Sequence, residues 1–214
     1  DIRAFDVAKP GLEPSFCVVD GNGDLSCKGS FAEHAPDGTF TTVDLSLEHA
    51  CAIRRESGEL ACWHHTGISS GYVRTHVPRG AYEEIHVSDL FACAKLRRSD
   101  SLQCWGRGSG ATGEATPKPP LDPPKGAVAA WDCGNLECCA LESSGELSCW
   151  GGELDEHSPP DAVLESIHVG LPHYCGMGGD TAYCWGNNHL ASVTGEIPWL
   201  VQLLSTTSEA DDGM

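Results

Sequence analysis

Positive charge is scarce in this chain. Its 214 residues carry 13 Lys and Arg side chains against 31 Asp and Glu side chains, which gives a formal net charge of −18. Nucleic-acid backbones and anionic membrane surfaces are bound by clusters of Lys and Arg. The sequence therefore predicts no nucleic-acid partner, and its acidity is typical of a secreted protein that charge keeps soluble.

Long apolar runs are also missing. No stretch reaches the ~18 consecutive apolar residues of a membrane-spanning helix, so no membrane span is predicted. The chain opens on the acidic stretch "DIRAFDV", which we interpret as the start of a mature or trimmed secreted chain rather than as a secretory leader. The final residues 205–214, "STTSEADDGM", are small, polar and acidic, and they are predicted to form a flexible tail.

Catalytic motifs and helical periodicity are absent too. The sequence contains no G-x-S-x-G elbow, no P-loop and no H-E-x-x-H motif, so serine hydrolase or metalloprotease chemistry has no support. Apolar residues do not recur at the helical spacing over nearly the whole chain, which favours an all-β fold.

Cysteine, in contrast, is plentiful. Ten of the twelve cysteines form five pairs whose members are separated by eight to ten residues. Zinc sites need much closer pairs such as C-x2-C, whereas this spacing suits two cysteines that face each other across a β-hairpin. The pattern predicts disulfides and an oxidising compartment. The five pairs are Cys17–Cys27, Cys51–Cys62, Cys93–Cys104, Cys139–Cys149 and Cys175–Cys184.

The remaining two cysteines lie in "DCGNLEC". The Gly-Asn between Cys133 and Cys138 is typical of a turn, so a sixth local bridge is predicted. The alternative is a reactive thiol pair, which would need a reducing compartment.

The cysteine pairs mark a repeat. "CAIRRESGELACW" at Cys51 has counterparts that start at Cys17, Cys93, Cys139 and Cys175, a period of 34 to 46 residues. Each unit has an apolar strand, two cysteine strands around a Gly or Asp turn, and a polar Gly- and Pro-rich end. The pattern predicts a five-bladed β-propeller, with about four short antiparallel strands and one disulfide per blade. We expect a single propeller over 1–204 with repeats at about 1–37, 38–79, 80–125, 126–161 and 162–204, in which "EIPWLVQLL" (196–204) supplies an outer strand.

The stretches "HYC…YCWGNN" and "HACAI…GELACW" resemble the repeat of the regulator of chromosome condensation family, which carries a histidine before an Ala-Leu pair and then W-G-x-N. The cysteine-paired form is similar to that of bacterial secreted proteins. The resemblance covers the whole chain and implies a β-propeller. Because secreted relatives include a propeller that inhibits β-lactamases, it also implies protein binding. His49 and His173 match the repeat histidine and are expected to be structural.

The sequence also departs from that family. It has five units instead of the usual seven, "HH" follows Trp63, and Lys28 replaces the tryptophan of the first unit. The nuclear exchange-factor activity of the family is not implied, because its partner-binding residues are not part of the repeat motif.

One position of each repeat is expected to face the propeller axis. In a propeller the first strand of a blade is innermost, and its side chains alternate in direction. Four of the axial residues precede the first cysteine by seven positions, whereas Asp6 precedes it by eleven and fits only if "KPGL" (9–12) is an insertion. The five axial residues are Asp6, Asp44, His86, Asp132 and His168.

Carboxylates and imidazoles on a narrow axis destabilise one another unless they are paired. A divalent cation, Zn, Mn, Fe or Ca, would remove the conflict, and two His with carboxylates form a common ligand set. The alternative is a water-filled channel in which these side chains are hydrogen-bonded to solvent.

Three further groups are weaker candidates. His64, His65 and His76 are predicted on a loop, either solvated or in a surface contact. The pairs Arg54–Arg55 and Arg97–Arg98 are predicted at hairpin turns, either solvated or in contact with a partner. The tryptophans after the second cysteines are interpreted as packing between blades rather than as sugar-stacking platforms. These tryptophans are Trp63, Trp105, Trp150 and Trp185.

Three functions are compatible with these features. The first is a monomeric, secreted, periplasmic or cell-surface binding module for a protein or glycan, built around an axial cation. The second is a mononuclear metal enzyme, of oxygenase or hydrolase type, with its active site at the channel mouth. The third is a structural extracellular domain for protein interaction.

Overall fold

The computed structural model describes residues 2–7, 15–64, 73, 76–88, 90–106, 122–134, 137–151, 162–170, 173–186 and 195–196. Within these ranges, sixteen strands form five antiparallel sheets, each built from strands that are consecutive in the chain. The sheets are the five blades of the predicted propeller. No helical segment in the described ranges has the length and hydropathy that crossing a bilayer requires.

Each blade takes its strands in chain order, the innermost first. Blade 1 has β1 (Ile2–Val7), β2 (Phe16–Asp20) and β3 (Leu25–Lys28). Blade 2 has β4 (Phe40–Leu45), β5 (His49–Arg54) and β6 (Leu60–His64). Blade 3 has β7 (Tyr82–Val87), β8 (Phe91–Leu96) and β9 (Leu102–Gly106). Blade 4 has β10 (Val128–Cys133), β11 (Glu137–Glu142) and β12 (Leu147–Gly151). Blade 5 has β13 (Ser166–Val169), β14 (His173–Gly178), β15 (Thr181–Gly186) and β16 (Gly195–Glu196).

The number of strands differs between blades. Blades 1 to 4 each have three strands in the described residues. After β3 of blade 1 the chain enters a short 3-10 helix, Gly29–Phe31, where Gly29 takes a positive φ of 75°. In blade 5, β16 pairs with β15 as a fourth strand. Residues 197–204, predicted to supply an outer strand, and the tail 205–214 lie outside the described residues.

Disulfides close the hairpin of every blade. The two cysteines of each predicted pair are direct partners in the strand register, for example Cys51 opposite Cys62. All six predicted bridges are present, including Cys133–Cys138 between β10 and β11, and no cysteine is free. A staple of this kind stabilises a two-stranded hairpin that is marginal alone.

Neighbouring blades share buried clusters. The clusters join Val19 of blade 1 to Val43, Ile53 of blade 2 to Val87, Cys93 of blade 3 to Val128, and Cys139 of blade 4 to Ile167. The repeat tryptophans complete them: the Trp63 indole N–H donates to the Phe31 carbonyl at 3.2 Å, and the Trp105 N–H donates to the Val73 carbonyl at 2.7 Å. These contacts confirm that the tryptophans pack between blades.

The hairpin turns also connect blades. The Gly58 carbonyl accepts a hydrogen bond from the Tyr82 N–H at 2.8 Å, and Asp100 at the corresponding turn of blade 3 accepts from the Val128 N–H at 2.9 Å. Both turn residues have a positive φ, 73° at Gly58 and 53° at Asp100, a conformation that Gly and Asp tolerate.

The arginines of blade 2 add to this connection. The Arg54 guanidinium donates to the Asp37 carbonyl at 3.0 Å, and the Arg55 guanidinium donates to the Asn22 carbonyl, so both reach back to blade 1. These hydrogen bonds to blade 1 were not predicted from the sequence.

One face of blade 1 is exposed and apolar. Phe5 and Val7 are 69% and 52% exposed, and Ile2 and Phe16 are exposed as well. Val87, which occupies the position of Val7 in blade 3, is only 4% exposed. Lys28 stands opposite Phe16, in the place of the repeat tryptophan. Within the described ranges, no buried cluster joins blade 5 to blade 1.

Candidate binding site on the propeller axis

The strand register places all five predicted axial residues at equivalent positions. Each one lies opposite the first cysteine of its blade: Asp44 opposite Cys51, His86 opposite Cys93, and likewise in blades 4 and 5. Asp6 lies opposite Cys17 despite its longer spacing. The extra residues, including "KPGL", fall in 8–14, outside the described residues.

The axial aspartates connect three pairs of neighbouring blades. The Leu45 N–H donates to Asp6 Oδ2 at 2.7 Å, and the Val87 N–H donates in the same way to Asp44 Oδ2. In blade 4, Asp132 Oδ2 accepts from the Val169 N–H at 2.8 Å. Every donor is the residue that follows the axial position of the next blade. The axial carboxylates therefore have a structural role, whatever else they bind.

The histidines lie beside these carboxylates. His86 Nδ1 is 4.0 Å from Asp44 Oδ2 and 3.7 Å from Asp132 Oδ1, and the His86 side chain is 26% exposed. His168 Nδ1 is 3.7 Å from Asp132 Oδ2, but its side chain is 78% exposed. The structure thus groups His86 with Asp44 and Asp132 and leaves His168 at the solvent.

Asp44 has the least favourable electrostatic environment of the group. Burial raises its pKa well above the ordinary value, and the negative charge of Asp6 raises it further. The hydrogen bond from the Val87 N–H acts in the opposite direction. A proton or a cation near Asp6 and Asp44 relieves this repulsion.

Two pockets lie along the axis. The Asp44 pocket, about 160 Å³, is at the carboxyl ends of the inner strands and is lined by Asp6, Asp44, His86, Ser46 and Ser88 together with Val7, Leu45, Leu47, Val87 and Gly134. The Trp131 pocket, about 240 Å³, is toward the amino ends and is lined by Thr42, Glu83, Glu84, Ile85, His86, Trp131 and Asp132. Because His86 lines both, it connects the two pockets.

The Trp131 pocket was not predicted from the sequence. Trp131 occupies the position of Val43 and Ile167, which are buried between blades. Its larger indole reaches across to blade 3, where its N–H donates to Glu84 Oε2. The available signal was a tryptophan at a position that is aliphatic in blades 2, 3 and 5.

Lys95 forms ion pairs with the two glutamates that line this pocket. Its ammonium is 3.3 Å from Glu83, 3.5 Å from Glu84 and 3.6 Å from Asp100. Burial alone would lower the pKa of Lys95, but these three carboxylates hold it above its ordinary value. The side chains of Glu83 and Glu84 are therefore ordered around one buried cation.

Three other predicted histidines that the structure describes do not join the axis. His49 is buried, and its backbone N–H donates to Ser46 Oγ at 3.0 Å in the connection between β4 and β5. His64 ends strand β6 instead of lying on a loop, with its ring 5.1 Å from that of His34. His76 lies at an exposed bend, whereas His65 and the side chain of His173 lie outside the described residues.

Few potential metal ligands converge in the described residues. One set of three potential ligands has all donor atoms within 4.8 Å of one another: Cys93, Cys133 and Cys138. All three sulfurs are in disulfides and offer no thiolate. The nitrogen and oxygen atoms of the axial histidines and aspartates come close two at a time, and no three of them in the described residues lie within that distance of one another.

The fold is similar to known propellers. The chain matches the CRINKLY WD40 ectodomain of the Arabidopsis thaliana receptor kinase ACR4 with a TM-score of 0.65 and 20% identity, over 87% of this chain and 69% of that one. Human WBSCR16 matches with a TM-score of 0.65 and 12% identity, over 92% and 67%. Prp20p of Saccharomyces cerevisiae matches with a TM-score of 0.59 and 14% identity, over 85% and 59%. At these identities the likeness shows the fold alone.

No protein-family profile matches the chain, and no curated protein matches it at the level of sequence. The class of protein is therefore defined by fold: a disulfide-stapled β-propeller whose structural neighbours include proteins like the regulator of chromosome condensation. The six disulfides indicate an oxidising compartment.

Proposed function

We propose that this chain is a secreted binding module that holds an extracellular protein at the mouth of its propeller axis. The observation that supports it most is the Trp131 pocket, where an aromatic ring and several polar side chains converge on one concave surface. Six disulfides suit a protein that acts outside the cell.

Comparison with other propellers supports a protein partner. The receptor kinase neighbour is an ectodomain. Prp20p is described with binding properties toward Gsp1p and histones. Neither ligand is transferred to this chain. Its net charge of −18 does not favour a nucleic-acid partner. A glycan partner is the second candidate, because tryptophan and carboxylates are also suited to sugars.

Affinity capture tests this function. The immobilised protein is exposed to the extracellular fraction of the source organism, alongside a variant with Trp131→Ala and Glu83→Gln. Glu146→Gln, which changes an exposed carboxylate at the blade 4 turn, is the control. We expect the wild type and the control to retain one protein in stoichiometric amount and the pocket variant to lose it. If the wild type captures no protein, or if the wild type, the pocket variant and the control capture equal amounts, the proposal is wrong.

The Asp44 pocket is proposed as the site of a divalent cation. Asp6, Asp44 and His86 line it together, and a cation would offset the repulsion that raises the pKa of Asp44. Oxygen ligands with one imidazole suit Ca, Mn, Zn or Fe(II). Asp132 and His168 are less suited, because both Asp132 oxygens accept backbone N–H groups and His168 is exposed.

Elemental analysis tests the cation site. Protein dialysed against Ca, Mn, Zn or Fe(II) is expected to retain about one equivalent of one metal. An Asp44→Asn/His86→Ala variant should retain none, and His168→Ala should retain as much as the wild type. No stoichiometric metal in the wild type refutes the site, and equal loss in His168→Ala refutes this choice of ligands.

A further inference from the structure

The Trp131 pocket combines a negative charge with an aromatic wall. Glu83, Glu84 and Asp132 line it, and none of its described lining residues is Lys or Arg. Lys95 contacts Glu83 and Glu84 from a buried position, where its side chain is 10% exposed, but it also faces Asp100. One ammonium thus serves three carboxylates, and Asp132 adds a fourth negative group. The pocket carries uncompensated negative charge.

The orientation of Trp131 limits what it offers a ligand. Its one hydrogen-bond donor, the indole N–H, is already taken by Glu84 Oε2. What remains is the ring surface, whose quadrupole attracts cations and is strongest in tryptophan. The Trp131 ring and the carboxylates of the pocket therefore both favour a positively charged ligand.

The size of the pocket further limits which ligands can fit. A volume of about 240 Å³ holds a single side chain rather than a folded element. An anion is repelled by the carboxylates. A bare divalent ion makes no use of the Trp131 ring, because such ions are bound by oxygen and nitrogen ligands and not by an aromatic wall.

On these grounds we infer that the Trp131 pocket binds a cationic side chain, an arginine guanidinium or a lysine ammonium, presented by the extracellular protein partner. The inference rests on the proposed function and names the group that the module recognises. The net charge of −18 acts in the same direction, since it attracts a basic partner over a distance of about one Debye length.

Nuclear magnetic resonance of the indole N–H groups tests the inference without the natural partner. The chain has six tryptophans, and the Trp131 signal is assigned by its loss in Trp131→Phe. The ligand is N-acetyl-arginine amide, and N-acetyl-citrulline amide is its uncharged match. We expect a saturable shift of the Trp131 signal with the arginine compound, a much smaller shift with citrulline, and weakening at about 0.5 M NaCl.

Variants separate charge from fold. Glu83→Gln should weaken the arginine affinity about threefold, which corresponds to ~0.6 kcal/mol, while Glu146→Gln should leave it unchanged. The other five indole signals report whether a variant is folded. No shift, or equal shifts with arginine and citrulline, overturns the inference. A shift with methyl β-glucoside but not with arginine overturns it in favour of a glycan.

The two proposals can fail separately. If affinity capture depends on Trp131 but the arginine compound does not bind, the module binds a protein by another chemistry. If arginine binds but no protein is captured, the pocket chemistry is right and the proposed function is wrong.

Discussion

Asp44 carries two roles that oppose each other. Its carboxylate accepts the Val87 N–H and so fastens blade 2 to blade 3. The same carboxylate is buried beside Asp6, and its pKa is raised. An asparagine keeps the acceptor and removes the charge, so it separates the two roles.

Asp44→Asn is expected to stabilise the metal-free protein at neutral pH. A raised folded-state pKa means that the stability contributed by Asp44 is full below the unfolded pKa, near 3.8, and is lost as pH rises through the folded pKa. The variant should therefore exceed the wild type in urea midpoint at pH 7, and the gap should close toward pH 3. Glu146→Gln should show no such trend. A variant that is less stable at pH 7 than at pH 3, relative to wild type, contradicts this account.

At the scale of the element, packing against the preceding blade decides whether the residue after the axial position is buried. In blade 3 this position is Val87 and in blade 1 it is Val7, so the same residue type is buried in one blade and exposed in the other. The two valines form a matched pair for measuring what contact between blades contributes.

Val87→Ala should destabilise the protein by about 2 kcal/mol, whereas Val7→Ala should change the free energy of unfolding by less than about 0.5 kcal/mol. Urea unfolding of both variants measures the difference. Equal losses would show that the blade 1 face is covered in solution.

Each hairpin also depends on its staple. Replacing Cys51 and Cys62 together with serine removes the bridge of blade 2, which spans 11 residues. We expect a loss of about 2–4 kcal/mol by chemical denaturation, because the unfolded chain gains freedom. An unchanged midpoint would mean that strand pairing alone holds the hairpin.

At the scale of the whole molecule, net charge opposes compactness. A charge of −18 produces self-repulsion that salt screens. The melting temperature should therefore rise between about 0.01 M and 0.3 M NaCl. A larger rise with CaCl₂ than with NaCl at equal ionic strength indicates specific cation binding, and a fall with NaCl contradicts the charge argument.

The sequence predicts what lies within a hairpin better than what lies between blades. The spacing of Cys51 and Cys62 identifies a stapled hairpin, and the same register places Asp44 and even the irregularly spaced Asp6 on the axis. The contact of Arg54 with the Asp37 carbonyl and the Trp131 pocket depend on how two blades face each other. That relation is not encoded in the period of either repeat, so it required the structure.

Peptide mapping without reduction tests the central claim most directly, because the stapled hairpin sets the register of every blade and thereby the axis and both pockets. The account predicts six bridges, each within one repeat, and no free thiol: Cys17–Cys27, Cys51–Cys62, Cys93–Cys104, Cys133–Cys138, Cys139–Cys149 and Cys175–Cys184. The nearest competitor joins blades 3 and 4, where the Cys93 and Cys138 sulfurs lie 3.9 Å apart. A Cys93–Cys138 bridge, or any other bridge between repeats, would contradict the account.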